Sequence, residues 1–232
     1  MKKNLNQKLI NLIEYYTLLN SNLLLSVNEI KRKSDDSPIS FTGSKSEKLE
    51  KLKKSIELIK NCDLKKSANN LVFADGNINS KLMIIGEGPG ANEDKEGKPF
   101  VGRAGKLLSK MLEAIQLDRS KVYITNVVNY RPPENRKPTE EEITRYLPYL
   151  KSHIEIIKPQ ILLLLGSTAL NALVGDEIVI SKARGKWIQK QINSLNTWII
   201  ASFHPAFLMR QPEQKKLAWI DLKMIREKLK KI

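Results

Sequence analysis

The sequence predicts an α/β fold, namely a three-layer α/β/α sandwich around a short parallel sheet of about four strands, with an N-terminal helical extension. Three observations support this prediction. From about residue 66 onward, short apolar runs alternate with longer segments of helical periodicity. The run ILLLLG at 161–166 is apolar throughout, as expected of a central parallel strand that is buried on both faces. The apolar run at 82–85 leads directly into a glycine-rich turn, which is typical of ligand sites in α/β folds.

Residues 1–46 are predicted to lie outside the α/β domain, which is assigned to residues 47–232. Apolar residues recur at helical spacing between residues 4 and 33, which indicates one amphipathic helix or a hairpin of two. The segment SDDSPISFTGSKSEK (34–48) is polar, contains a proline and a glycine and has no periodicity, so we interpret it as a linker. A further helix is predicted from Glu47 to about Asn61.

Strands and helices then alternate along the chain. The predicted strands are Lys81–Ile85, Val122–Val127, Ile161–Leu165 and Trp198–Ser202. The predicted helices are Ala104–Ile115, Glu140–Ile157, Ser167–Val174 and Glu213–Lys230. The carboxyl ends of parallel strands lie at one edge of a sheet. The loops that begin near Gly86, Asn126 and His204 are therefore expected to converge on a single site.

Composition restricts the class of protein. The formal net charge is +15, from 40 Lys and Arg against 25 Asp and Glu, which favours a polyanionic partner such as nucleic acid. A composition rich in lysine on every exposed face is the alternative explanation. No apolar stretch approaches the roughly 20 residues that a membrane span requires. The N-terminus does not resemble a signal peptide, and Cys62 is the single cysteine, so we expect a cytoplasmic protein without disulfides or a membrane partner.

Four segments follow strand-like runs and occur in a fixed order. They are GEGPGANEDKEGKPFVGRAG (86–105), TNVVNYRPPENRKP (125–138), SKARGKW (181–187) and SFHPAFLMR (202–210). Together they resemble the motifs of the family 4 uracil-DNA glycosylases, and the resemblance covers about residues 60–230. It implies an α/β/α fold and a DNA-repair hydrolase that flips uracil out of DNA and cleaves its N-glycosidic bond, leaving an abasic site.

The resemblance also implies roles for individual residues. Asn126 would read the imide edge of uracil, because a carboxamide presents a donor and an acceptor side by side. Phe100 would stack on the flipped base, and the backbone N–H groups of Gly86 and Gly88 would face the base or a phosphate. The residues implied to be catalytic are Glu87, Glu93, Asn135 and His204. Among these, we expect Glu93, Asn135 and His204 to form a coupled network.

Basic and apolar residues of the same motifs are expected on the DNA face. Arginines pair with phosphates, and prolines keep a loop stiff. Leu208 is the expected wedge in the space that the flipped base leaves, with Phe207 and Met209 beside it, although such residues also pack inward. The expected DNA-contact residues are Arg131, Pro132, Arg136, Arg184, Leu208 and Arg210.

The sequence departs from the family at the ligands of an iron–sulfur cluster. Many family 4 enzymes bind a [4Fe–4S] cluster through four cysteines, and alignment by motif places those ligands at Ile59, Cys62, Tyr130 and Tyr146. Because such a cluster needs four ligands, we predict no cluster and no other metal. We expect Ile59, Tyr130 and Tyr146 to fill the vacated volume.

Two other functions stay open at this point. One is a non-catalytic module that binds uracil-containing or single-stranded DNA, and the other is a structural domain attached to a polymerase through residues 1–46. That extension either docks on a replication or repair protein or serves as a solubilising or packing extension. We expect a nucleoid-associated monomer.

Overall fold

The computed structural model of the protein describes residues 41–175 and 178–232. The helices predicted between residues 4 and 33 lie outside the described residues. Helix α1 (Lys45–Glu57) begins two residues before the predicted start at Glu47 and ends well before Asn61. It begins there because Ser44 and Glu47 form a capping box, in which the Glu47 carboxylate accepts a hydrogen bond from the Ser44 N–H at 2.7 Å. The predicted linker therefore ends before Lys48.

A six-stranded mixed sheet forms the centre of the fold, in the order β1-β3-β2-β4-β6-β5. The strands are β1 (Asp75–Gly76), β2 (Leu82–Gly86), β3 (Tyr123–Asn126), β4 (Ile161–Leu165), β5 (Trp187–Ile192) and β6 (Leu195–Ser202). The four predicted strands are β2, β3, β4 and β6, and they pair in parallel as expected. The other two strands are antiparallel edges, with β1 on β3 and β5 on β6.

The edge strand β5 was not predicted from the sequence. It forms a hairpin with β6, and the turn between them contains Asn193 with a backbone φ of +50°. Only Ile192 of this strand is fully buried. Such a polar edge lacks the continuous apolar run that identifies a central strand. The segment therefore reads in the sequence as a loop after the RGKW motif.

Helices cover both faces of the sheet, which confirms the three-layer sandwich. Alternate residues of the strands enter two separate apolar cores. Met83 and Leu162 belong to the core under α1 and α5, whereas Ile84 and Leu163 belong to the core under α4 and α9. The helices after α1 are α2 (Asp63–Ser67), α3 (Ala91–Glu96), α4 (Arg103–Glu113), α5 (Glu140–Ile157), α6 (Ser167–Leu173), α7 (Ile180–Ala183), α8 (Pro205–Arg210) and α9 (Lys215–Leu229). None of the helices in the described ranges is both long enough and apolar enough to cross a bilayer.

Candidate active site

A cavity of about 230 Å³ opens at the carboxyl edge of the parallel strands. Gly86 at the end of β2 is in register with Asn126 at the end of β3, and Leu165 of β4 is in register with Ser202 of β6. The loops that leave these strand ends form the cavity wall, so the predicted convergence is confirmed. Its lining includes the predicted residues Glu87, Gly88, Glu93, Phe100, Asn126, Pro132, Asn135, Arg136 and His204.

Asn126 lies at the base of this cavity with only 3% of its surface exposed. Its Oδ1 atom is buried and has no hydrogen-bond partner, which is true of no other buried side-chain nitrogen or oxygen in the described residues. A buried acceptor left unpaired costs about 1–3 kcal/mol. An N–H donor of a bound ligand would satisfy this oxygen.

Phe100 forms a second wall, and two glycines make room for it. A Cβ atom on Gly86 would lie 2.5 Å from both Phe100 Cζ and Asn126 Oδ1, so only glycine fits beneath the ring. A Cβ atom on Gly105 would overlap the Phe100 carbonyl group. The Phe100 backbone has a φ of +55°, which is uncommon outside glycine. Its ring centroid lies 5.6 Å from that of His204, with 33° between the ring planes.

Glu93 closes the loop that carries Phe100. Its carboxylate accepts hydrogen bonds from three backbone N–H groups, those of Gly90 at 3.2 Å, Val101 at 2.9 Å and Gly102 at 2.7 Å. These bonds join the start of α3 to the start of α4 and fix the turn between them. The structure therefore gives Glu93 a positioning role. Glu87 likewise accepts a hydrogen bond from the Thr168 hydroxyl on α6.

The imidazole of His204 is neutral in this site. Its pKa is lowered to about 4, chiefly by burial and also by the charge of Arg210, while the charge of Glu93 opposes the change. The Nδ1 atom accepts a hydrogen bond from the Ala206 N–H at 3.2 Å. The single proton of the neutral ring therefore lies on Nε2, which makes Nε2 a hydrogen-bond donor.

The expected network of Glu93, Asn135 and His204 is only partly present. All three line the cavity, and the charge of Glu93 acts on His204. In the described residues, none of the three makes a side-chain hydrogen bond to another. Asn135 Oδ1 accepts a hydrogen bond from Arg131 Nε at 2.8 Å. The side chains of Glu93 and His204 accept from backbone N–H groups. The three residues are thus neighbours without direct hydrogen bonds.

Comparisons with known proteins identify the family of this chain. The family model described as the uracil DNA glycosylase superfamily matches residues 73–223. A type-4 uracil-DNA glycosylase of Sulfurisphaera tokodaii is 41% identical over 77% of this chain and 84% of its own length. Type-4 uracil-DNA glycosylases of Thermotoga maritima and Pyrobaculum aerophilum are 39% and 41% identical, over 73% and 75% of this chain and 88% and 92% of their own lengths. The chain belongs to the type-4 branch of the uracil-DNA glycosylase superfamily.

More distant relatives share only part of their length with this chain. A type-5 uracil-DNA glycosylase of Pyrobaculum aerophilum is 27% identical over 56% of this chain and 63% of its own length. A DNA polymerase of Bacillus phage SP01 is 32% identical over 65% of this chain, which is 16% of that polymerase. The superfamily domain thus also occurs within a much larger protein.

Two of the expected DNA contacts are wrong. Leu208 is 1% exposed and packs against Phe203 and Ala218, so it is no wedge on the surface. The guanidinium of Arg184 is paired with the fully buried carboxylate of Asp221. Its Nη2 atom also donates to the Leu217 carbonyl at 2.7 Å, so its donors are used inside the protein and do not reach a phosphate.

The other expected DNA contacts lie around the cavity. Arg210 is exposed, and no ion pair or hydrogen bond holds it in the described ranges. Arg136 is exposed and makes two hydrogen bonds to Glu142, at 2.8 and 2.6 Å. Arg131 is half-buried and bonded to Asn135, while Pro132 is buried in the cavity wall.

A second cavity of about 700 Å³ adjoins the first and shares Glu87, Asn135, His204 and Ala206 with it. Its floor is apolar, with Leu165, Ile180, Phe203 and Phe207. Lys137 and Arg210 provide positive charge at its wall. The two cavities are continuous, and Lys137 and Arg210 make the wall of the second one basic.

The side chains at the positions that correspond to the cluster ligands pack together in the core under α1 and α5. The Cys62 thiol lies 3.2 Å from the Tyr146 hydroxyl, and both groups are buried with Tyr130 in the core, against which Ile59 also packs. Burial raises the pKa of both tyrosines, so their phenols keep their protons. One thiol, two neutral phenols and an alkyl side chain do not suit a [4Fe–4S] cluster. In the described residues, no group of three or more His, Cys, Asp and Glu side chains could hold a metal ion.

Several residues that shape the site have no individual signal in the sequence. Gly105 is only the last residue of the first motif, and Thr168 and Arg119 lie outside every motif. Their importance appears only through contacts with Phe100 and Glu87.

Proposed function

We propose that this protein is a monofunctional uracil-DNA glycosylase, which hydrolyses the bond between uracil and deoxyribose and leaves an abasic site in DNA. The observation that carries the proposal is the unpaired Oδ1 of Asn126, buried in a cavity that also holds the Phe100 ring and a neutral His204. The type-4 relatives carry the same activity in their names.

Base recognition follows from the carboxamide of Asn126. The Oδ1 atom accepts the N–H between the two carbonyl groups of uracil, and the amide nitrogen donates to the adjacent carbonyl. Cytosine has an unprotonated ring nitrogen and an amino group in place of this N–H and carbonyl, so in the same carboxamide orientation it sets acceptor against acceptor and donor against donor. The flipped base stacks on Phe100, an interaction worth about 1–3 kcal/mol.

Bond cleavage depends on stabilising the departing base. When the C1′–N1 bond breaks, its electron pair leaves with uracil, and negative charge grows on a ring carbonyl. The Nε2–H of neutral His204 donates to that oxygen, in a buried site where a hydrogen bond to a growing charge is strong. Water then adds its oxygen to the cationic C1′ and releases a proton to solvent. We assign no single general base.

The DNA strand is proposed to cross the two cavities. Arg210 and Lys137 supply positive charge for phosphates, and the net charge of +15 agrees with a polyanionic substrate. Arg131, Arg136 and Pro132 border the first cavity and are proposed to contact the strand next to the flipped nucleotide. Phe207 and Met209 are partly exposed and replace the buried Leu208 as candidates for the wedge.

We further propose that the protein works without an iron–sulfur cluster. The Cys62–Tyr146 contact and the packing of Tyr130 occupy the corresponding region and hold the same loops together. After anaerobic purification, the molar ratio of iron to protein should be close to zero. A brown protein with about four iron atoms per chain would contradict this proposal.

Three further proposals concern the whole protein. We propose that the protein is cytoplasmic and associated with the nucleoid. We also propose that it is a monomer, which light scattering tests directly. Residues 1–46 are proposed to dock on a replication or repair protein, and a packing or solubilising extension is the alternative. Deleting residues 1–36 should leave uracil excision unchanged in both cases, and only docking predicts loss of a co-purifying repair protein.

The test of the proposed activity is alkaline cleavage of uracil-bearing oligonucleotides, single- and double-stranded, after incubation with the protein. We expect cleavage at uracil and none at cytosine in a matched strand. Asn126→Ala should lower the rate by about 10²–10³-fold, as loss of one preorganised polar contact does. Folded wild-type protein that binds uracil-containing DNA without cleavage would instead support the non-catalytic binding module.

A further inference from the structure

The Phe100 backbone needs external support. Its φ of +55° places a non-glycine residue in the left-handed region, which costs about 1–3 kcal/mol unless surrounding contacts hold it. The direction of the ring depends on this backbone conformation. A base-stacking residue in a strained turn therefore requires a device that fixes the turn.

Arg119 supplies that support from outside the cavity. Its Nη1 atom donates to the Phe100 carbonyl at 3.0 Å, and its Nη2 atom donates to the Pro99 carbonyl at 2.7 Å. The planar guanidinium thus holds two successive peptide groups at once. On the other side, Gly105 of α4 lies so close to the Phe100 carbonyl that no side chain fits there.

Asp75 fixes the Arg119 side chain in turn. The Asp75 carboxylate accepts from Arg119 Nε at 2.7 Å and lies 2.7 Å from Nη2. Both side chains are about three-quarters buried, with exposures of 28% and 26%. Asp75 belongs to β1 and is in register with Ile124 of β3, the strand that ends at Asn126. The chain of contacts therefore connects the stacking residue to the strand of the base-reading residue.

We propose that Arg119, held by Asp75, is a positioning residue for uracil binding. It fixes the Phe100 ring in the cavity that also holds the Asn126 carboxamide. This inference rests on the proposed function, and it adds a recognition element that lies outside the cavity and touches no substrate. Arg119 acts on the base only through Phe100.

The proposal predicts a graded series of variants. Arg119→Ala should lower kcat/KM on uracil-containing DNA by about 10-fold or more, a loss that cannot exceed that of Phe100→Ala. Arg119→Lys keeps the charge but cannot bind both carbonyl groups and Asp75 at once. Its kcat/KM should therefore fall nearly as much as that of Arg119→Ala. The kcat/KM of Asp75→Asn should lie between the values of Arg119→Lys and wild type. Arg226→Ala, which removes an arginine of similar exposure (34%) on α9, is the matched control and should leave kcat/KM unchanged.

The deciding experiment is a double-mutant cycle between Arg119 and Phe100. We measure kcat/KM and the affinity for a uracil-containing oligonucleotide in wild type, Arg119→Ala, Phe100→Ala and the double variant. If Arg119 acts through Phe100, its removal should have less than a twofold effect once the ring is absent. An equal loss in both backgrounds would show a general structural role and overturn the proposal. Arg119→Lys provides the same cycle if Arg119→Ala does not fold.

The two proposals fail in different ways. A wild-type protein that releases no uracil contradicts the glycosylase activity, while the cycle in binding affinity still decides the role of Arg119. A wild-type protein with activity but no coupling between Arg119 and Phe100 contradicts only the positioning role. A wild-type protein with neither uracil release nor uracil-dependent binding overturns both.

Discussion

At the level of single residues, the site depends on glycines that leave space for neighbouring side chains as well as on the side chains that line the cavity. Gly86 leaves room for the Phe100 ring and the Asn126 carboxamide, which approach the same point from the loop before α4 and from the end of β3. Between them, Asn126 Oδ1 stays unpaired. An N–H donor at the edge of a flat ligand would satisfy this oxygen.

Substitution of Gly86 tests this geometry. In Gly86→Ala, the new methyl group would lie 2.5 Å from both Phe100 Cζ and Asn126 Oδ1, so both side chains must move. We expect kcat/KM for uracil excision to fall by at least 10²-fold, because misplacement of about 1 Å has effects of this size. Denaturant unfolding should show that the variant is folded, and retention of full activity would contradict the assigned geometry.

The pH dependence of excision tests the protonation state of His204. Because the pKa of His204 is lowered to about 4, chiefly by burial, the imidazole stays neutral from pH 8 down to about pH 5, and its Nδ1 atom remains the acceptor for the Ala206 N–H. In that range we expect the titration of His204 to leave kcat/KM unchanged. Below about pH 4, protonation of Nδ1 breaks its hydrogen bond with the Ala206 N–H and releases the ring from its position, so kcat/KM should fall by up to about tenfold per pH unit. A decline centred near pH 6.5, lost in His204→Gln, would show that the histidine is not desolvated.

Side-chain orientation explains why residue roles are only partly predictable. Asn126 lies near the end of a predicted strand and His204 follows another, so topology alone brings them to the cavity. The orientation of Leu208 depends on how the short helix α8 packs against Phe203 and Ala218, and the partner of Arg184 lies 37 residues further along the chain. Neither contact leaves a recognisable pattern in the sequence.

At the scale of elements, the connection from β2 to α4 is one folded unit. The carboxylate of Glu93 accepts three backbone N–H groups across it, and the buried carboxylate of Asp94 accepts from the backbone N–H groups of Asn69 and Asn70. The connection is thus fixed both internally and against the segment after α2. Its rigidity determines where Phe100 lies.

Glu93→Gln tests this element. The amide nitrogen of the new side chain would face at least one backbone N–H donor, and no charge would strengthen the remaining bonds. We expect the free energy of unfolding to fall by about 1–3 kcal/mol, and kcat/KM to fall by at least tenfold as Phe100 loses its position. Glu96→Gln on the exposed end of the same helix is the control and should change neither quantity. Loss of activity without any loss of stability would point to a direct chemical role for Glu93.

At the scale of the whole molecule, the parallel centre of the fold follows from the sequence and its edges do not. The strand Ile161–Leu165 and the helix Glu140–Ile157 have the predicted bounds, because one is apolar throughout and the other begins with a Thr139 capping box. The two-residue strand β1 is too short for any periodicity. It nevertheless carries Asp75, so an element that the sequence does not reveal supports the site.

A buried histidine outside the site makes global stability depend on pH. Burial lowers the pKa of His153 to about 3, and its Nε2 atom lies 2.8 Å from the Tyr123 hydroxyl. The unfolded chain binds a proton at this residue near pH 6.5, whereas the folded protein does not until about pH 3. Stability should therefore fall as pH decreases from about 6.5, by up to about 1.4 kcal/mol per pH unit for this group. The free energy of unfolding of His153→Gln should show a slope smaller by that amount between pH 6 and 5, and equal slopes would contradict the buried, neutral state.

We propose that a chain without the cluster ligands excises uracil through a pocket organised by Asn126, Phe100 and His204. The most direct measurement counts free uracil released from single-stranded DNA by purified protein whose iron content is determined in the same sample. We predict release by iron-free wild-type protein and a loss of at least 10²-fold in both Asn126→Ala and His204→Ala. Folded, iron-free protein that releases no uracil, or variants that release it at the wild-type rate, would contradict the account.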